Sequence, residues 1–482
     1  MIPTEPRPAT TSARATTSAE ATTATPALAE ATTAAPVSAE ATTAAPVSAE
    51  ATTAAPVSAK ATTAAPVSAS PAATSPTAPR TPVTASPGHP LTPRAETLAV
   101  HPPNVEITGS RPLGVPLHQG HVFAFESADA LATAFTSGDA FLYSRLGNPT
   151  VRTLEDAVAR LEGGIAGQAF ASGMGAVNGV LLGLLAAGDH VIAQTCLYGG
   201  TYAVLTDLAT RWGVDVTYVS GTDPEEVRAA LRPQTRLLYL ETIANPTTRV
   251  SDVPALAEVA AGVGVPVAVD NTFASPLLFR PLDHGADIVV HSATKYLSGH
   301  ADVLGGVAVF KDDALYRRVR RHAVEQGAST DPFAAWLTLR GMQTLSLRME
   351  RQCASAADLA ARLAGHPAVA AVRHPALADH PDRAIAARLL PAGGGGVISV
   401  DLAGGREAGR RLVEAVRLAS LSVSLGDVKT LVMHPASTSH HQLDEAALTA
   451  AGIGPGTVRI SVGIEHVEDL WADLEQALSQ TP

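Results

Sequence analysis

Cysteine is scarce in this chain, which has two, Cys196 and Cys353, among 482 residues. Two cysteines cannot build a disulfide framework, and such scarcity is typical of proteins from a reducing compartment. Long apolar runs are lacking as well: the best, Gly179 to Ala187, is about half the ~20 residues that a membrane helix needs. The first residues, MIPTEPRPAT, lack the basic start and apolar segment of a secretory signal. We therefore expect a cytoplasmic protein with no membrane partner.

Positively charged residues are also fewer than negatively charged ones. There are 34 Lys and Arg residues against 45 Asp and Glu, so the formal net charge is −11. Phosphate backbones are bound by clustered Lys and Arg, and this balance argues against a nucleic-acid partner. Hydrophobic residues nevertheless make up 46% of the chain. That fraction excludes a wholly disordered protein.

The first 94 residues differ from the rest in composition. From Ala19 a ten-residue unit recurs, first AEATTATPAL, then AEATTAAPVS three times and AKATTAAPVS once, ending at Ser68. The unit has no aromatic and almost no bulky apolar residue, so burial cannot offset the entropy lost on ordering. We predict a disordered tail over residues 1–94. The alternatives are a glycosylated stalk, a docking arm or a misassigned start.

Beyond the tail, helix-like and strand-like segments alternate. Short apolar strands separated by helices indicate a largely parallel sheet with both faces covered. In such sheets ligands bind beyond the carboxyl ends of the strands, which here end at Ser172-Gly173, Glu241, Asp270 and His291-Ser292. The predicted strands are Gln168–Ala171, His190–Gln194, Asp215–Ser220, Leu237–Glu241, Val265–Asp270 and Asp287–Val290.

After about Arg340 the alternation loosens. A long helical pattern over Leu345–Leu363 precedes three strand-like segments, Val397–Asp401, Ala419–Ser424 and Arg459–Gly463. We predict a smaller C-terminal α/β domain here. The expected division is a tail at 1–94, an N-terminal arm at 95–150, a large domain at 151–345 and a small domain at 346–482.

The densest chemical signal is ADIVVHSATKYLSGHADVLGG, residues 286–306. Its Ser-Ala-Thr-Lys run places two hydroxyls, which suit a phosphate, beside Lys295, which could form a Schiff base with an aldehyde. Asp270 closes an apolar strand, where a bare carboxylate is costly but could face the ring nitrogen of a pyridine cofactor. The Gly173 loop, which opens a helix, offers backbone N–H groups to a phosphate. Each signal alone is weak, since such residues are often surface or turn residues, but together they indicate one site.

Eight ordered motifs carry a resemblance to a known family. They are YSRLGNPT (143–150), ASGMGA (171–176), LYGGTY (197–202), ETIANP (241–246), AVDNTFASP (268–276), HSATKYLSGH (291–300), SLGDVKTLVMHPASTSH (424–440) and VRISVGIE (458–465). From Thr97 to Leu478 the chain resembles the pyridoxal-phosphate-dependent Cys/Met metabolism, or transsulfuration, enzymes. The resemblance implies pyridoxal 5′-phosphate as cofactor, bound in the 151–345 domain. It also implies the α/β fold type I of the aspartate-aminotransferase-like transferases, with a largely parallel sheet.

The resemblance assigns the chemical roles to four residues. Lys295 would hold the cofactor and then move protons on the substrate, and Tyr198 would stack on the ring and act as general acid. Arg459, aided by Ser424, would bind the carboxylate of a small-molecule amino-acid substrate, because a guanidinium fits a carboxylate with two hydrogen bonds.

The implied cofactor site is larger. Asp270 would pair with the ring nitrogen and keep it protonated. Tyr143 and Arg145 would reach the phosphate from a neighbouring subunit, which implies a homo-oligomer of active-site-sharing dimers, assembled as a tetramer. The other implied cofactor residues are Gly173, Met174, Ser292 and Thr294 at the phosphate, Glu241 and Asn245 at the ring and its 3′-oxygen, and Thr272, in addition to Tyr198 and Lys295.

The motifs imply chemistry at the γ-carbon of a homoserine-derived or sulfur amino acid. The segment from Gly426 to Glu465 most resembles the O-acylhomoserine sulfhydrylases, which make homocysteine by γ-replacement, and the length beyond the tail suits their O-succinyl-type members. The alternatives are a methionine or cystathionine γ-lyase, which releases 2-oxobutanoate and ammonia, and a cystathionine γ-synthase. Methionine γ-lyases typically carry Cys where this chain has Gly200, and cystathionine enzymes carry Glu where it has Val423.

Two further interpretations concern a non-catalytic role and metal binding. A non-catalytic regulator or scaffold of the same fold stays an alternative, although it would have no chemical need for the lysine, aspartate, tyrosine and arginine named above. His434, His440 and His441 have no carboxylate or thiol cluster at ligand spacing, so we expect no metal site.

Deletion of residues 1–94 tests the separation of the tail from the enzyme. Because the tail has no chemistry-bearing motif, we expect the truncated protein to keep nearly all of its activity. Steady-state kinetics of both forms measure this, and a large loss would make the tail part of the catalytic unit.

Overall fold

The computed structural model describes residues 93–103, 112–137, 140–438, 448 and 452–480. The predicted disordered tail therefore lies outside the described residues except for its last two positions. His440 and His441 also lie outside them. Over the described part of the chain, no helix has both the length and the apolar character that crossing a membrane requires.

The α-helices of the described residues are α1 (Ala95–Val100), α2 (Ala128–Ser137), α3 (Pro149–Glu162), α4 (Gly173–Leu184), α5 (Gly199–Arg211), α6 (Pro224–Ala230), α7 (Val253–Ala261), α8 (Ser275–Leu278), α9 (Asp313–Gln326), α10 (Pro332–Met342), α11 (Leu345–Ala364), α12 (Arg383–Leu389), α13 (Gly405–Ala415) and α14 (Val467–Leu478). Two short 3₁₀ helices lie at Pro281–His284 and Pro435–Ser437.

The strands are β1 (Ala166–Phe170), β2 (His190–Gln194), β3 (Asp215–Val219), β4 (Thr235–Glu241), β5 (Val267–Asp270), β6 (Ile288–Ser292), β7 (Gly306–Phe310), β8 (Val369–Arg373), β9 (Val397–Leu402), β10 (Ser420–Leu421), β11 (Leu431–Met433) and β12 (Thr457–Ser461). Each predicted strand of the large sheet overlaps one of these. β7, β8 and β11 are strands that the sequence analysis did not predict.

Local signals explain where two site-positioning helices begin. Asn148 caps α3 by accepting a hydrogen bond from the backbone N–H of Thr150 at 2.9 Å, and Pro149 occupies the first turn. Ser172 caps α4 by accepting from the N–H of Gly175 at 3.0 Å. Both helices pack on the large sheet, on opposite faces.

The larger sheet has seven strands in the order β1-β7-β6-β5-β4-β2-β3. The five strands β6, β5, β4, β2 and β3 are mutually parallel, and β7 runs antiparallel between β6 and β1. Apolar side chains of the strands alternate between two core clusters, one shared with α3 and α7 and one shared with α4, α5 and α9. Helices therefore cover both faces, which confirms the predicted fold class.

The smaller sheet has five strands in the order β10-β11-β12-β9-β8. It is antiparallel except for the β10–β11 pair, and its buried face packs against α11, α13 and α14. The predicted smaller α/β region is confirmed by this sheet. The exact domain boundary between residues 345 and 346 stays a prediction.

A buried leucine of β4 tests the core. We expect Leu238→Ala, at a fully buried position, to lower the free energy of unfolding by about 2–5 kcal/mol, because it leaves a cavity between sheet and helices. Leu347→Ala is the control, since that side chain is 68% exposed and its loss should cost less than about 0.5 kcal/mol. Denaturant unfolding measures both, and equal effects would contradict the packing described.

Candidate active site

The carboxyl ends of the parallel strands open into a cavity of about 240 Å³. Residues from the smaller-sheet region close its other side. Most of the predicted site residues line it: Gly173, Met174, Tyr198, Glu241, Asn245, Asp270, Thr272, Ser292, Thr294, Lys295 and Arg459. The structure thus brings together side chains that are spread over nearly 290 positions of sequence.

Lys295 lies just beyond β6, at the centre of the cavity. Its Nζ donates a hydrogen bond to Ser424 Oγ at 3.0 Å, so the predicted Ser424 also reaches the site. Burial, together with the nearby charge of Arg459, lowers the pKa of Lys295 to about 8. An amine with this pKa has a substantial neutral fraction near neutral pH, and the neutral form is the one that attacks a carbonyl.

Two carboxyl groups stand at the ends of neighbouring strands. Asp270 ends β5 and accepts from the backbone N–H of Thr272 at 2.9 Å, while Glu241 ends the adjacent β4. Burial raises the pKa of Asp270. Burial and the charge of Asp270 raise the pKa of Glu241 well above its ordinary value. A cation placed against Asp270 would relieve this desolvation.

The start of α4 and the loop after β6 form a cradle. A Cβ atom on Gly173 would lie 2.6 Å from the Cβ of Ser292, so glycine is required for this approach. The N–H of Ser292 donates to Thr272 Oγ1 at 2.9 Å, and Thr294 Oγ1 accepts from the N–H of Gly305 at 3.0 Å. A helix N-terminus flanked by hydroxyls suits a phosphate.

A hydrogen-bonded chain joins the other predicted residues. Glu241 Oε1 accepts from the N–H of Tyr198 at 2.6 Å, and its Oε2 accepts from the N–H of Asn245 at 3.2 Å. Arg459 Nη1 donates to Asn245 Oδ1 at 3.1 Å, and Nη2 donates to the carbonyl of Ser424 at 2.7 Å. The side chains of Glu241 and Asn245 thereby connect the backbone of Tyr198 to Arg459.

Among the described residues, the Arg459 guanidinium has no negatively charged hydrogen-bond partner. It is 3% exposed, its buried Nε has no hydrogen-bond partner, and burial lowers its pKa to about 10. Its three acceptors, the side-chain oxygen of Asn245 and the carbonyl oxygens of Val423 and Ser424, are all uncharged. A carboxylate bound here would supply both a charge and acceptors for the guanidinium.

The remaining wall is apolar and was mostly missed in the sequence. Val423 and Leu304 are 69% and 68% exposed toward solvent, and Ile243, Phe273 and Leu425 complete this lining. The sequence analysis singled out Val423 through its family comparison, but no signal marks the other four, because isolated apolar residues in loops resemble ordinary core residues. These side chains give the cavity an uncharged part of its lining.

Tyr143 and Arg145 do not line this cavity in their own chain. They border a separate concavity with Gln119 and His121, where the Arg145 guanidinium lies 5.8 Å from the Tyr143 ring centre. The predicted contact with a neighbouring subunit's phosphate stays a prediction. His291, expected at the rim, instead points away from the cavity and is buried against Glu162.

These residues fit pyridoxal phosphate. The cofactor presents an aldehyde, a basic ring nitrogen and a phosphate, and the cavity offers one group for each: the Lys295 amine, the desolvated Asp270 carboxyl and the N-terminus of α4 beside Ser292.

The contact at Gly173 can be tested directly. We expect Gly173→Ala to lower the free energy of unfolding by about 1–3 kcal/mol, because its methyl group would overlap Ser292. Gly120→Ala is the control: its Cβ would meet nothing within 4 Å, so its effect should stay below about 0.5 kcal/mol. Thermal unfolding of the two variants measures the difference, and a neutral Gly173→Ala would mean that the cradle is not tight.

Known proteins share this architecture. The model of the Cys/Met metabolism PLP-dependent enzyme family matches residues 96–479. An L-methionine gamma-lyase from Porphyromonas gingivalis is 45% identical over 372 residues, which cover 76% of this chain and 92% of the relative. The structure of a cystathionine gamma synthase from Xanthomonas oryzae pv. oryzae has a TM-score of 0.76 and 39% identity, with 80% of this chain and 98% of the other covered.

A third relative carries the cofactor in its structure. It is a candidate O-acetylhomoserine (thiol)-lyase from Campylobacter jejuni, with a TM-score of 0.77 and 31% identity over 80% of this chain and 100% of the other. That structure contains N′-pyridoxyl-lysine-5′-monophosphate. With the match over residues 96–479 and the geometry above, the chain belongs to the pyridoxal-phosphate-dependent enzymes of Cys/Met metabolism.

Proposed function

We propose that the chain catalyses γ-replacement on an O-acylhomoserine, with sulfide as the incoming nucleophile and homocysteine as the product. The observation that carries the proposal is the composition of the cavity lining. Arg459 is a buried cation, and the apolar side chains of Val423 and Leu304 line the same cavity. Such a cavity suits an amino acid whose γ-substituent is uncharged.

Each residue then has a defined task. Arg459 binds the substrate carboxylate through its Nη and free Nε atoms, which fixes the α-carbon beside Lys295. When bound, pyridoxal phosphate withdraws electrons from the substrate's α- and β-carbons. Lys295 Nζ, oriented by Ser424, accepts the proton from the α-carbon, releases it, and then accepts one from the β-carbon. Tyr198 donates a proton to the acyl oxygen as the bond from the γ-carbon to that oxygen breaks. Sulfide forms the new C–S bond at the γ-carbon, and Lys295 returns protons to the β- and α-carbons.

The position of Tyr198 supports replacement over simple elimination. A Cβ atom on Gly200 would lie 2.6 Å from the Tyr198 ring and 2.9 Å from the sulfur of Met174. The tyrosine ring therefore occupies the space that the cysteine typical of methionine γ-lyases would take. We infer that the general acid sits differently here from its position in an enzyme with that cysteine.

The apolar part of the cavity lining also bears on the acyl group. A succinyl ester carries a distal carboxylate that needs a cation, whereas an acetyl ester does not. Val423, Leu304 and Leu425 in the lining offer no such charge. The proposal therefore favours O-acetylhomoserine, in contrast to the O-succinyl ester that the chain length suggests.

A methionine γ-lyase is the second candidate. Several relatives with 42–45% identity carry that name, and methionine also has an uncharged γ-substituent. A cystathionine substrate is less compatible, because its distal amino-acid group is charged at both ends and Val423 offers it no hydrogen bond from its side chain.

The surroundings of the site belong to the same proposal. We propose a cytoplasmic homo-oligomer in which Tyr143 and Arg145 of one subunit complete the phosphate site of another. Their exposure outside their own chain's cavity supports this arrangement. Dimers of this kind would pair into the tetramer.

The deciding experiment supplies purified protein with sulfide and either O-acetyl- or O-succinylhomoserine. We expect homocysteine as the main product by mass spectrometry, formed faster from the acetyl ester. Mostly 2-oxobutanoate and ammonia would instead establish a γ-lyase, and methionine and cystathionine would then be compared as substrates.

Lys295→Ala is the control for the mechanism. It removes the amine that holds the cofactor and moves the protons, so we expect no turnover with either ester. Retained turnover would contradict the assigned role of Lys295. A wild-type protein that binds pyridoxal phosphate but converts no amino acid would favour the regulator interpretation.

A further inference from the structure

A second set of polar side chains lies directly behind the active site. Thr242 follows Glu241, Asn271 follows Asp270, and His291 precedes Ser292, so each is the sequence neighbour of a cavity residue. Because successive side chains of a strand point to opposite faces, these neighbours lie on the face turned away from the cavity. The neighbours themselves, Thr242, Asn271 and His291, are at most 1% exposed.

Glu162, at the last position of α3, connects them. Its Oε1 lies 2.6 Å from His291 Nε2 and 2.8 Å from Asn271 Nδ2, which donates to it. Asn271 Nδ2 also donates to the carbonyl of Phe279 at 2.8 Å, and Asn271 Oδ1 accepts from Thr242 Oγ1 at 2.8 Å. One helix end is thereby bonded to the ends of three adjacent strands.

This network is costly to bury. Glu162 is fully buried, and a carboxyl group in an apolar interior is destabilising unless hydrogen bonds compensate for its lost hydration. Leucine or valine at these four positions would pack the same face without that cost. None of the four residues lines the cavity, so the hydrogen bonds of the network act on the site through the three strand ends.

We propose that Glu162, His291, Asn271 and Thr242 are positioning residues that fix Asp270, Glu241 and the Ser292 loop relative to one another. Asp270 serves the ring nitrogen of the cofactor and Ser292 its phosphate, so their spacing sets how the ring lies in the cavity. The buried network holds that spacing from behind, and Glu162 is its central acceptor.

Electrostatics act in the same direction. Burial raises the pKa of Asp270, and hydrogen bonds from Thr272 and the proximity of His291 oppose that increase. Glu162 keeps His291 in place through a contact of 2.6 Å. A weaker acceptor at position 162 would therefore loosen both the strand ends and the position of His291 behind Asp270.

Glu162→Gln tests the proposal on the purified holoenzyme, with cofactor release and the visible circular dichroism of the bound cofactor as readouts. Glutamine keeps the volume and can still turn an oxygen toward His291 and Asn271, but it replaces a carboxylate acceptor with a weaker amide acceptor, so both hydrogen bonds are weakened. We expect cofactor release about tenfold faster than in the wild type and a changed dichroism amplitude, which reports the ring's orientation.

Glu155→Gln is the matched control. Glu155 is also a buried glutamate of α3, 3% exposed; it pairs with Arg152, and its Oε1 accepts from the N–H of Ala169 at 2.9 Å in β1, which is not one of the three strands that the network joins. We expect it to lower thermal stability and leave cofactor release and dichroism unchanged. If Glu162→Gln behaves as this control does, the network is structural and the proposal is wrong.

Thr242→Val gives a second test if Glu162→Gln does not fold. It keeps the side-chain shape and removes the hydrogen bond to Asn271, so we expect smaller changes of the same kind in both readouts. Unchanged release and dichroism in this variant would also overturn the proposal. The inference rests on the family's cofactor and not on γ-replacement, so a γ-lyase product would leave it standing.

Discussion

The site depends on one costly arrangement, a partly buried carboxyl group at the end of a parallel strand. Burial raises the pKa of Asp270. Hydrogen bonds from Thr272 and the proximity of His291 oppose that increase. In the proposed function, a protonated ring nitrogen would supply the cationic partner that this carboxyl group lacks. The fold supplies this arrangement because parallel strands end together at one buried rim.

The chemistry of the rim could be predicted from the sequence because it sits in short motifs. Lys295 and its two hydroxyl neighbours are contiguous, and Gly173 opens a helix that follows directly on a strand. The fold class followed from the alternation of apolar segments and helices. The prediction that His291 lies at the rim was wrong. Successive side chains of a strand point to opposite faces, so His291 lies on the face of the sheet opposite to that of Ser292.

Other features could not be predicted because they depend on partners far apart in the chain. Glu162 meets His291 across 129 positions, and Arg459 meets Asn245 across 214. β7 runs antiparallel to both of its neighbours, β6 and β1. Nothing in its apolar sequence indicates the direction in which it runs. The position of Val423 in the cavity lining could not be predicted, because it depends on how the smaller-sheet region packs against the strand ends.

The choice of reaction within the family therefore lies outside the cofactor site. Relatives named as a methionine gamma-lyase and a cystathionine gamma synthase are 45% and 39% identical to this chain, so overall similarity does not separate the reactions. The parts that hold the cofactor are common requirements of all of them. In the proposed γ-replacement, the features of this chain that bear on the choice are the space beside the Tyr198 ring, where Gly200 lies, and the uncharged side chain of Val423 in the cavity lining. The proposal therefore assigns the choice of bond-forming step to these two positions.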